Sequence, residues 1–365
     1  MKVAIVNDSR MAAEILRRVL ATLSEFTLIW TAYSGEEAIK LCADARPDIV
    51  LMDLIMPGMD GAETTRRIMQ STPCVILIVT ATTIGNRDAV FEAMGHGALD
   101  AVNTPVLGPG ENMTGADPLI QKLRMVARIA DLRRKSQAPK HRHHEAHATG
   151  EAAYPVVALG ASTGGPQALA AVLSQLPAHF PAAVLVSQHV DEEFTPGLAK
   201  WLQHHCPLPV SVARESEMLK PGSVWIAATS KNLTFDNGRA RYMPAPADAP
   251  LASVDMLFLS LARPHKAVRV GALLTGMGRD GAEGLLAMRK AGALTIAQDE
   301  ATSVVYGMPK AAVDLKAAME TLPLDAIGPR ICDAVFNGVR AQSAPAQKSS
   351  PVRRKEGPSK AASIT

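Results

Sequence analysis

Short apolar runs alternate with longer amphipathic stretches along most of the chain. Up to about residue 135, runs at 2–7, 27–32, 48–52, 75–79 and 99–102 have the length of buried strands. The stretches between them carry helical spacing. The last of these repeats Leu119, Leu123, Val126, Ile129 and Leu132 at intervals of three or four. Such alternation predicts a parallel sheet covered on both faces. It stops at a polar segment from Lys135 to His147 and resumes from Tyr154 to about Arg340. In this second half, strands are expected at Val156–Leu159, Ala182–His189 and from Val268. Asp236-Asn237-Gly238, between Leu233-Thr234-Phe235 and Arg239–Met243, is a hairpin signal. Ser253 is expected to cap a helix holding Met256, Leu257 and Leu261. The fold class expected is therefore α/β, with two doubly wound parallel-sheet domains and a β-hairpin excursion in the second. The bounds expected are 1–134 and 151–340, with a linker at 135–150 and a disordered tail at 341–365.

Composition narrows the function classes. The formal net charge of +3 on 365 residues gives no nucleic-acid footprint. No apolar run reaches bilayer length, and Val3–Val6 is broken too soon by Asn7-Asp8 to be a signal peptide. A cytoplasmic monomer is expected, with no nucleic-acid partner and no membrane insertion. Cys42, Cys74, Cys206 and Cys332 lack metal spacing and suggest no disulfide framework. His141, His143, His144 and His147 fall in the polar linker without cage spacing, and are expected to be solvated.

Candidate chemistry concentrates at predicted strand ends. Gly160-Ala161-Ser162-Thr163-Gly164 fits G-x-S-x-G, in which small neighbours let a strand turn sharply into a helix and expose the serine hydroxyl. The helix is expected to open at Pro166. By itself this motif fits a bare tight turn as well, and a phosphate-cradling turn is a second rival. His189 ends the next strand, and Asp280 follows the strand after that, in Leu274–Gly281. Serine, histidine and aspartate would then share one rim, as a Ser–His–Asp triad requires. Their chain order differs from that of α/β-hydrolases. Backbone N–H groups around Thr163 and Gly164 are candidate oxyanion donors on geometric grounds. In the first half, Asn7-Asp8, Asp53 and Thr80 follow the first, third and fourth strands and converge on one edge.

Gly160–Gly165, Gln188-His189 and Leu274–Gly281 resemble the three catalytic blocks of CheB-type protein-glutamate methylesterases. Ser253–Phe258 and Tyr306–Pro309 resemble further blocks of that family. The similarity spans nearly the whole chain, because the family also carries an N-terminal receiver of flavodoxin-like fold, and the receiver here looks most like the WspF branch. The resemblance implies hydrolysis of glutamate methyl esters on methyl-accepting chemoreceptors, with methanol released and no cofactor for that step. It extends to deamidation of receptor glutamines. It implies Ser162 as nucleophile, His189 as base, Asp280 as orienting acid and the Met277 N–H as an oxyanion donor. The loop Ile226–Asn232 departs from the family pattern and bears on receptor docking.

Leu51–Gly61 resembles the phospho-acceptor block of receivers, with Asp53 as acceptor. A CheA-type histidine kinase is the implied phosphodonor. Asp8 and Asp53 would hold Mg²⁺, and Thr80 would donate to the phosphoryl group. Receivers usually carry two adjacent acids after the first strand and a lysine before the proline after the fifth; here Asn7 and Thr104 stand in those places. Threonine offers only a neutral hydrogen bond where an ammonium would pair with phosphoryl oxygens. The competing reading is a phosphorylation-dependent adaptor with an idle esterase fold.

Overall fold

The computed structural model describes residues 1–81, 87–107, 113–114, 116–132, 154–228, 231–244, 253–263 and 267–343. The expected linker at 135–150 lies outside them.

The first half is a five-stranded parallel sheet in the order β2-β1-β3-β4-β5. Its strands are β1 (Lys2–Val6), β2 (Thr27–Ala32), β3 (Ile49–Met52), β4 (Val75–Thr80) and β5 (Asp100–Asn103). Helices α1 (Arg10–Ala21), α2 (Gly35–Asp44), α3 (Gly61–Ser71), α4 (Arg87–Gly95) and α5 (Ala116–Leu132) intervene or follow. Ser9, Ser34 and Asp60 cap the first three through their side chains, accepting from Ala12, Glu37 and Glu63 N–H. A short hairpin, β6 (Val106–Leu107) with β7 (Met113–Thr114), precedes α5. Leu119, Leu123 and Val126 are fully buried, as their spacing predicts.

The second half holds a seven-stranded parallel sheet in the order β10-β11-β9-β8-β14-β15-β16. Its central strands are β8 (Val156–Ala161), β9 (Ala183–Gln188) and β14 (Arg269–Leu273), every residue of which is buried. Flanking them are β10 (Val210–Val212), β11 (Ser223–Ile226), β15 (Leu294–Gln298) and β16 (Glu320–Leu322). Continuous apolar runs suit strands covered on both faces. The covering helices are α6 (Gly165–Leu173), α7 (Thr195–His205), α8 (Val254–Leu261), α9 (Ala282–Lys290), α10 (Met308–Asp314) and α11 (Leu324–Ser343).

Three details differ from the sequence reading. The hairpin, β12 (Asn232–Asp236) with β13 (Arg239–Met243), forms a separate two-stranded sheet. Its turn has positive φ at both Asn237 (50°) and Gly238 (79°), matching the strand twist. Helix α6 opens at Gly165, one residue before Pro166. Helix α11 runs through Ser343, into the start of the expected tail, because neither proline nor glycine occurs between Gly338 and Pro345.

Candidate active site

Ser162 follows β8, His189 follows β9 and Asp280 lies in the loop after β14. Because β9 and β14 are the two hydrogen-bonded neighbours of β8, all three residues emerge at the C-terminal edge of adjacent strands. His189 Nε2 lies 2.8 Å from Asp280 Oδ2. That contact leaves Nδ1 as the ring nitrogen able to take a proton, the reverse of the chymotrypsin arrangement. Ser162 is buried, and its hydroxyl makes no hydrogen bond to any described residue.

The elbow is pinned by its backbone. Ser162 N–H donates to Thr275 O (3.0 Å), and Ser162 O accepts from Gly165 N–H (2.7 Å) and Gln188 Nε2 (2.9 Å). Gly164, at φ +74°, has space only for hydrogen: a Cβ there would sit 2.6 Å from Val304 Cβ. The loop after β14 comes as close from the other side, where a Cβ on Gly276 would sit 2.8 Å from Ser162 Cβ. The next residue is Met277. Its N–H, and those of Thr163 and Gly164, donate to no described residue, so they remain available to an oxyanion.

Asp280 is held by a cradle that the motif alone does not reveal. Oδ1 accepts from Ser253 Oγ (2.9 Å) and Asp255 N–H (3.0 Å), and Oδ2 accepts from Val254 N–H (2.8 Å). Burial disfavours its charge, but the bond and charge of His189 and these N–H donors outweigh burial and hold the carboxyl below the usual range. Sequence reasoning also passed over Thr275, whose buried hydroxyl donates to Thr163 O (3.0 Å) and accepts from Val305 N–H (2.8 Å). It joins the elbow to the segment 303–308. Nothing in local spacing marks it, because its partners lie 112 and 30 residues away.

At the receiver's edge, Asp53 Oδ1 accepts from Leu54 N–H (2.7 Å) and Ile55 N–H (3.4 Å). Burial, reinforced by the nearby charge of Asp8, pushes its carboxyl up to about 6 despite those bonds. No described cation offsets this. Thr104 N–H donates to Thr80 O (3.0 Å), which puts residue 104 beside the end of β4. Asn7 is buried, and its Oδ1 accepts from Ser9 N–H (2.9 Å), so it shapes the turn into α1. Thr80 Oγ1 is buried without a partner. Two neighbouring acids and an orphaned hydroxyl suit a phosphoryl group, beside which Asp8 and Asp53 would hold a Mg²⁺ ion.

Comparison with known proteins bears on both halves. The CheB methylesterase family profile matches residues 157–331, and the response regulator receiver domain profile matches residues 3–109. A protein-glutamate methylesterase/protein-glutamine glutaminase of Cupriavidus metallidurans is 50% identical over 93% of this chain and 100% of its own length. One of Pseudomonas aeruginosa is 48% identical over 91% of this chain and 99% of its own. The chain belongs to the CheB methylesterase family. Among solved structures, the CheB methylesterase catalytic domain of Thermotoga maritima covers 51% of this chain and 99% of its own, at 32% identity and a TM-score of 0.47.

In this CheB-family chain the receiver packs against the catalytic half beside the triad. Helix α4 lies on α7 and α6. The rings of Phe91 and Trp201 are 6.2 Å apart between centroids. Gln167 Nε2, on α6, donates to the Met94 carbonyl, and Asn103 Nδ2 donates to Glu193 Oε2 (3.2 Å). Half-buried Lys122 pairs with Asp100 (3.0 Å). Burial opposes its charge, but Asp100 and, across the domain boundary, Asp191 outweigh that and raise its pKa. Val305 is buried in the receiver's apolar cluster, and Met277 packs against the same cluster. The segments that border Ser162 are therefore those the receiver covers. Among the described residues no helix is long and apolar enough to cross a membrane, and no His/Cys/Asp/Glu group of three or more is placed to bind a metal.

Proposed function

We propose that this chain is a phosphorylation-gated serine esterase that removes methyl groups from glutamate side chains of methyl-accepting chemoreceptors. The observation that carries the reading is the bond between His189 and Asp280 at the strand edge that also presents Ser162. Ser162 Oγ attacks the ester carbonyl while His189 Nδ1 takes its proton. The oxyanion is received by the free N–H of Met277, with those of Thr163 and Gly164 as neighbours. His189 returns the proton to the departing methanol and then activates the water that releases glutamate. Asp280 fixes the imidazole tautomer and balances the imidazolium charge. With a glutamine substrate the same steps would expel ammonia.

Asp53 takes phosphate from a CheA-type kinase while Thr80 donates to a phosphoryl oxygen; Asp8 and Asp53 are the residues that would hold Mg²⁺. Bound Mg²⁺ would neutralise charge on the transferring group. The work is done by a monomer in the cytoplasm. Methanol release from a methylated chemoreceptor cytoplasmic fragment, compared between wild type and Ser162→Ala, tests the reading. Turnover is expected to vanish in the variant, and full turnover in a folded Ser162→Ala protein would eliminate the serine mechanism.

A further inference from the structure

The acid that orients His189 is itself gripped by a second acid. Asp280 accepts from Ser253 Oγ, Val254 N–H and Asp255 N–H at 2.8–3.0 Å. It thereby caps the N-terminus of α8 from the loop before α9. Asp255, on the first turn of α8, reaches back: its Oδ1 accepts from Gly284 N–H at 2.6 Å, in the first turn of α9. The residue preceding α9, Gly281, has no side chain with which to cap it. Each helix is therefore capped by an acid belonging to the other's start, and the two acids adjoin. We propose that Asp255 is a positioning residue for ester hydrolysis: its carboxyl ties the start of α9 to α8 while its backbone N–H donates to Asp280, fixing Asp280 against His189. This rests on the triad assigned above.

Two adjoining, half-buried carboxyls resist ionising together, so one stays protonated. The donor count decides which. Asp280 faces three donors from Ser253, Val254 and Asp255 as well as the His189 ring, whereas Asp255 accepts from Gly284 N–H. Burial first, and then the charges of Asp280 and Glu283, push the Asp255 carboxyl up to about 7. The charged groups facing it are thus Asp280, with His189 beyond, and Glu283 on α9, which Arg279 pairs at 3.3 Å. As pH rises through this range Asp255 loses its proton. Asp280 then gains a repelling neighbour, and its hold on His189 loosens.

The test compares the full-length chain with Asp255→Leu, Asp255→Asn and Asp280→Asn, by methanol release from a methylated chemoreceptor cytoplasmic fragment across pH. Asp255→Leu removes the tie to Gly284 and should lower kcat by about 100-fold with KM little changed, the scale of a misplaced catalytic group. In Asp255→Asn the amide carbonyl still accepts from Gly284, the backbone N–H still donates to Asp280, and the side chain stays neutral at every pH. That variant should keep wild-type kcat near neutrality and lose the alkaline decline that wild type shows. Capping alone would leave the decline in place, so an unchanged profile in Asp255→Asn overturns the proposal. So does full kcat in Asp255→Leu. If Asp255→Leu does not fold, the Asp255→Asn profile decides. Full activity in Asp280→Asn overturns the triad and this proposal with it, whereas loss in Asp280→Asn beside full activity in Asp255→Leu removes this proposal alone.

Discussion

Trp201→Ala should raise the basal esterase rate of the unphosphorylated chain without touching the triad. Trp201 sits on α7 with its ring 6.2 Å from that of Phe91 on α4, and it approaches Gly95 at the end of the same helix. An aromatic pair contributes about 0.5–1.5 kcal/mol beyond its area. A tryptophan buries ~150–250 Å². If about a third of that area faces the receiver, ~25 cal/mol per Å² adds about 1.5 kcal/mol. The closed arrangement should lose about 2–3 kcal/mol in all, which moves the closed-to-open ratio by about 30- to 150-fold. The rate rises by that factor or until the open form predominates, whichever is smaller. The assay is methanol release from methylated receptor fragment, run on the full-length chain and on a fragment beginning near Tyr154, each with and without Trp201→Ala. The substitution should act in the full-length chain alone. An unchanged full-length rate, or an equal rise in the fragment, would refute the argument that this ring pair holds the receiver over Ser162.

Further outcomes follow from the two sites. His189→Ala and Asp280→Asn should each cut ester hydrolysis by about 10³–10⁴-fold or more while circular dichroism shows the fold intact; a rate within tenfold of wild type would remove the residue from the triad. Asp53→Asn should abolish acid-labile phosphate incorporation yet keep basal esterase activity, and labelling equal to wild type would disqualify Asp53 as acceptor. Because burial raises Asp53 in the folded state to about 6, ionising it there opposes folding, so the penalty appears as pH rises above the ordinary carboxylate range and is complete above about 6. Asp53→Asn should therefore melt higher than wild type at pH 8 and lose that advantage at pH 4; the same offset at both pH values would contradict the shift. Asn7→Asp with Thr104→Lys should tighten Mg²⁺ binding and enlarge activation on phosphorylation, and no change in either would make these two departures silent.

Much of this architecture was legible in the residues alone. Continuous apolar runs such as Val156–Ala161 specify strands buried on both faces, and alternation with helical spacing leaves a parallel sheet as the economical solution. Ser162, His189 and Asp280 could be named because a strand's C-terminal end is a position that sequence reveals, and sheets of this class present their chemistry there. Asp53, Asp8 and Thr80 were legible for the same reason. Strand order, ring orientation and long-range hydrogen bonds were not. Whether β9 and β14 flank β8 depends on the packing of helices far apart in sequence, and that adjacency alone brings residues 189 and 280 to 2.8 Å. The use of Nε2 toward Asp280, the α8 cradle and the reach of Asp255 to Gly284 are decided by side-chain geometry with no periodic trace in the chain. The domain contact is the clearest case: no local pattern links Phe91 to Trp201, and only the folded chain makes them partners, because burying both against each other removes apolar surface from water that neither helix could cover alone.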